Sequence, residues 1–83
     1  MSKKKLLKKI LSGSKNISFT EVMNCAKAFG FHLDRVHGSH HILIHPELPE
    51  LLNLQNVNGK AKPYQINQML KIIEKYNLHL EDE

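Results

Sequence analysis

Leu6, Leu7, Ile10 and Leu11 recur at helical spacing, with Lys8 and Lys9 interrupting them on the other face. A short N-terminal helix ending near Ser12-Gly13 is expected. Ser18-Phe19-Thr20-Glu21 fits a capping box, in which the serine hydroxyl and the glutamate carboxylate each satisfy a free amide. Phe19, Val22, Met23, Ala26 and Phe29 then form an apolar stripe. Gly30 is placed to stop this second helix, because a left-handed residue at that position suits glycine. From there the period drops to two. Phe31, Leu33 and Arg35 alternate with His32, Asp34 and Val36, which predicts a first strand up to about His37. Gly38-Ser39 makes a tight turn. A second strand follows, with His40, Ile42 and Ile44 on one face and His41, Leu43 and His45 on the other. Pro46 and Pro49 bound a second turn, since neither can sit within a central strand. Leu51 to Val57 reads as a third strand, and Asn58 to Lys62 as a basic loop. Pro63 opens a last helix carrying Ile66, Met69, Leu70, Ile73 and Tyr76, with Asn77 as its stop.

The order helix, helix, three strands, helix predicts an α+β fold. It has two layers: a three-stranded antiparallel sheet with helices on one face, in the order α-α-β-β-β-α. At 83 residues there is room for one core. A single domain over 1–83 is expected, with a basic helix at 1–13, a core at 18–77 and an acidic tail at 78–83. Glu81-Asp82-Glu83 reads as a frayed end.

Charge narrows the partners only a little. The net charge of +4 and the pI near 9.3 suit an anionic partner, although lysines also serve simply to keep a small domain soluble. Lys3, Lys4, Lys5, Lys8 and Lys9 form either a solvated face or an edge that contacts phosphate. Cys25 is the one cysteine, so an internal disulfide and a cysteine-built zinc site are excluded. Its neighbours put it on an apolar helix face rather than at a catalytic position. No apolar run approaches the ~18 residues of a membrane span. A cytoplasmic location is expected.

The chemistry concentrates in Gly38-Ser39-His40-His41-Ile42-Leu43-Ile44-His45-Pro46. Histidine, with an ordinary pKa of ~6.5, both takes and gives a proton near neutrality. Metal-free RNA cleavage needs a base for the 2′-hydroxyl, an acid for the leaving 5′-oxygen, and positive charge on the phosphate. His40 suits the base; His41, His37 or His45 are the candidates for the acid. Arg35, Lys60 and Lys62 could supply charge. The bland alternatives stay open: a strand histidine bonded to a neighbour, surface positions for His32, His37 and His79, and a turn-capping role for His45. Imidazole ligands for a metal are disfavoured, because adjacent strand residues point apart and no carboxylate completes a set.

Gly30-Phe31, Arg35, Gly38-Ser39-His40-His41, the triplet Ile42-Leu43-Ile44 and His45-Pro46 resemble, in register, the HicA family of toxins from type II toxin–antitoxin pairs. The likeness runs from about Phe19 to Asn77. It implies a fold like the double-stranded-RNA-binding domain and a metal-independent mRNA interferase without a cofactor. The histidine after Gly-Ser, His40, is then catalytic, and Gly38, Ser39, His41, Arg35, Lys60 and Lys62 are candidate RNA contacts. It also implies neutralisation by a HicB-like antitoxin covering the histidine face. Many members carry Pro-x-His on the third strand and Gly-Thr-Leu at the last helix. Here Leu54-Gln55-Asn56-Val57 and Lys60-Ala61-Lys62-Pro63-Tyr64-Gln65-Ile66 stand instead, marking a sub-branch with a Lys-Pro-Tyr-Gln helix start. The rival reading is an RNA-binding module without catalysis, which this charge and fold would equally allow; a purely protein-binding role ranks third.

Overall fold

A computed structural model describes residues 3–13 and 16–81. Helix α1 (Lys3–Leu11) buries Leu6 and Ile10 against α2 (Phe19–Ala28). The capping box is formed: the Glu21 amide donates to Ser18 Oγ at 3.1 Å, and the Ser18 amide donates to Glu21 Oε1 at 2.9 Å. Glu21 also accepts from Lys9 Nζ at 2.8 Å, so one carboxylate caps α2 and ties α1 to it. That ammonium, followed by the Ser18 amide, holds the Glu21 carboxyl below its ordinary value. Gly30 ends the helix at φ +99°, as expected.

Four strands follow where three were expected: β1 (His32–His37), β2 (His40–Ile44), β3 (Leu52–Val57) and β4 (Lys60–Ala61). They form one antiparallel meander in chain order. The expected basic loop is a hairpin. Asn58 and Gly59 both take positive φ, as a type I′ turn requires, and they return the chain so that Val57 pairs with Lys60 and Asn56 with Ala61. At Gly38-Ser39 only the glycine has positive φ, which is the type II′ pattern. Helix α3 (Pro63–Lys75) closes the chain with Pro63 in its first turn, and Asn77 at φ +50° follows its end.

All three helices belong to one layer. Leu43, Leu52 and Leu54 are fully buried beneath α2 and α3, together with Phe31, Val22, Cys25 and Met69. By alternation His40, Ile42, Asn53 and Gln55 lie on the opposite, open face. The regular alternation expected for β1 is broken by a bulge at Asp34. Leu33 pairs with Leu43 on the helix side, whereas Arg35 pairs with Ile42 on the open side. Arg35 therefore does not share a face with Phe31 and Leu33. After α3 the chain docks back: Leu78 and Leu80 pack on the core, and the Glu81 amide donates to Ala28 O at 2.8 Å. Glu81 is thus held rather than frayed; Asp82 and Glu83 lie outside the described residues.

Candidate active site on the open sheet face

The Gly38-Ser39 turn is fixed from below by β3. The Asn56 amide donates to Ser39 O at 2.8 Å, and Gln55 Nε2 donates to Ser39 Oγ at 3.2 Å. Gln55 is itself held by α3, since its amide donates to Gln65 Oε1 at 2.7 Å. β4 ends as Pro63 starts the helix, so the buried Gln65 side chain supplies the carbonyl that a longer β4 would have given. That is a physical reason for glutamine in the Lys-Pro-Tyr-Gln start. A Cβ at Gly38 would meet nothing within 4 Å, so the space beside the turn is open.

The hairpin's three histidines have three different environments. His40 stands half-exposed on the open face with Nδ1 3.2 Å from Asn53 Oδ1. An amide oxygen only accepts, so Nδ1 carries a proton, and in the neutral ring it is Nε2 that holds the lone pair. His41 turns to the helix side, 4.7 Å ring to ring from Phe19, and its Nδ1 donates to Ser39 O at 3.2 Å. His45 is buried, edge-on to Phe31 at 5.3 Å. Its Nε2 donates to Phe29 O at 3.2 Å, while its Nδ1 accepts the Glu47 amide at 3.1 Å. Both ring nitrogens of His45 are used by backbone, so it is scaffold.

Of the other candidate residues, Arg35 reaches the open face paired to Asp34. Lys60 is opposite Val57, which follows Gln55 by two on β3, and so shares the face of His40. Lys62 is the N-cap residue of α3, with its ammonium 6.0 Å from the Tyr64 ring. The structure thus brings Gly38, Ser39, His40, Arg35 and Lys60 to one face, and it sends His41 to the other. Asn53 and Gln55 belong to no motif in the chain. Their signal was the alternation Leu52-Asn53-Leu54-Gln55, which sets both opposite the leucines.

His40, His41 and His45 do not converge, and no group of three or more His, Cys, Asp or Glu side chains gathers as a metal site among the described residues. Burial pushes the Cys25 thiol up to about 11, so it holds no thiolate to attack with. A cavity of about 610 Å³, lined by Ile10, Ile17, Val57, Lys60, Lys62 and Ile66 among others, excludes His40. The histidine sits on an open sheet, a shape that suits a long, flexible substrate better than an enclosed small molecule.

A small α+β domain with a histidine at the mouth of a Gly-Ser hairpin is the class that fold and site define. Residues 19–74 match the family described as the HicA toxin of bacterial toxin–antitoxin, and the chain belongs to that family. No curated protein and no solved structure matches it. No helix among the described residues is long and apolar enough to cross a membrane.

Proposed function

We propose that this chain is a metal-independent endoribonuclease that cleaves mRNA, with His40 as its proton-transfer residue. Membership of a toxin family supports the biological class. The observation that carries the mechanism is the His40–Asn53 contact: Asn53 holds Nδ1–H, which leaves Nε2 as a base on an open face. Gly38 and Ser39 leave room for the phosphate, and Arg35 and Lys60, on the same face, supply positive charge as the phosphate gains it. A HicB-like antitoxin covering this face would hold the toxin inactive, and the expected compartment is the cytoplasm, where mRNA is.

Incubating the purified protein with a long single-stranded RNA in excess EDTA tests this reading. Wild type should cleave, and His40→Ala should be slower by about 10²–10⁴-fold, the usual scale of general acid–base catalysis. RNA retained by both proteins without cleavage would instead establish the binding module. Cleavage abolished by EDTA would overturn metal independence.

A further inference from the structure

Acid–base cleavage of RNA needs two proton transfers, and His40 accounts for one. His41 and His45 are taken out of consideration by their faces and hydrogen bonds. His37 remains. It is the cross-strand partner of His40, since the two flank the two-residue turn and close the β1–β2 ladder. Paired residues share a face and sit about 5.5 Å apart at Cα in a hydrogen-bonded antiparallel pair. His37 is exposed, and among the described residues its ring has no side-chain partner. Gly38 and Ser39 hold these two positions opposite one another beside open space at Gly38.

We propose that His37 is the second catalytic residue, the acid that protonates the leaving 5′-oxygen while His40 takes the 2′-proton. The inference rests on the ribonuclease reading above. The 2′-hydroxyl proton passes to His40 Nε2, and the freed electron pair forms the 2′-O–P bond. The P–O5′ bond breaks, and its electron pair takes a proton from the His37 imidazolium. The products are a 2′,3′-cyclic phosphate end and a free 5′-hydroxyl, with no oxidant or other reactant consumed. The charged and titratable groups next to His37 in the sheet are Arg35 with its partner Asp34 on β1 and His40 on β2; Asn53 and Gln55 of β3 are neutral, and Lys60 lies at the far edge on β4.

A substrate with sulfur in place of the bridging 5′-oxygen separates the acid from every other role, because a thiolate leaves without being protonated. Wild type, His37→Ala and His40→Ala are compared on the ordinary and the 5′-thio linkage, with rates followed over pH. On the ordinary linkage His37→Ala should lose about 10²–10⁴-fold and the alkaline limb of its profile. On the 5′-thio linkage it should return to near the wild-type rate, whereas His40→Ala stays slow on both. Wild-type rates for His37→Ala on the ordinary linkage would overturn the inference and leave His40 standing. An equal loss on both linkages would also overturn it, since His37 would then act in binding or structure. If wild type cleaves neither, or His40→Ala cleaves as wild type does, the ribonuclease reading itself fails and the inference with it.

Discussion

The two ends of β2 carry the same residue type in opposite circumstances. His45, just past Ile44, is 8% exposed and both of its nitrogens are committed to backbone groups. His40, at the start of the strand, spends one nitrogen on Asn53 and leaves the other free. A histidine is scaffold when its surroundings satisfy the whole ring and reagent when they satisfy half of it. Number and spacing of histidines along the chain do not make that distinction; the partners do.

Exchanging the losses is the most forceful way to break the contrast. His40→Ala should lose cleavage by orders of magnitude and keep its thermal midpoint within a degree or two. His45→Ala should do the reverse. It strips a buried ring and leaves Phe29 O and the Glu47 amide without their partner, which costs about 3 kcal/mol of stability. Denaturant melts alongside RNA cleavage read both. A His45→Ala protein as stable as wild type would remove the scaffold half of the comparison.

Gly30→Ala approaches the same end from beneath. A Cβ there would fall 2.7 Å from His45 Nε2 and 2.8 Å from Glu81 Oε2, at a backbone angle that L-residues avoid. The expected loss is about 2–3 kcal/mol. Glycine at this position thus does two things, ending α2 and giving His45 its seat. At the other end, Asn53→Leu should slow cleavage about tenfold, the scale of one modest hydrogen bond. Asn53→Asp keeps the acceptor and should restore the rate. If Asn53→Leu left the rate unchanged, the free nitrogen of His40 would not depend on Asn53.

How legible these ends were in the chain follows from how local their causes are. The capping box, the Gly30 stop, the Gly38-Ser39 turn and the two faces of β2 rest on residues within a few positions of one another. All could be read directly. The bulge at Asp34 has no local signature, and plain alternation therefore groups Arg35 with Leu33. β4 is two residues long, too short for a period, although Asn58-Gly59 carried the signal of a hairpin. The contacts that hold His40 and the Ser39 turn join residues 13 and 16 positions apart, and no pattern along the chain shows them.

The smallest effect comes from a place that touches neither end, and it serves as the control. Glu21 has its pKa depressed in the folded state by Lys9 and then by the Ser18 amide. A depressed carboxylate contributes stability that is complete above its unfolded value, near the ordinary 4.5, and that disappears as pH falls through the lower folded value. Glu21→Gln should therefore be less stable than wild type at neutral pH, because the amide can still cap Ser18 but loses the charge that pairs with Lys9. The gap should stay constant down to about pH 5 and close on further acidification. Denaturant unfolding of both proteins across that range measures it. A gap that closed instead between pH 6 and 7 would show that a histidine is coupled to the cap. The separation between α2 and the two ends of β2, on which the contrast of His40 with His45 depends, would then be lost.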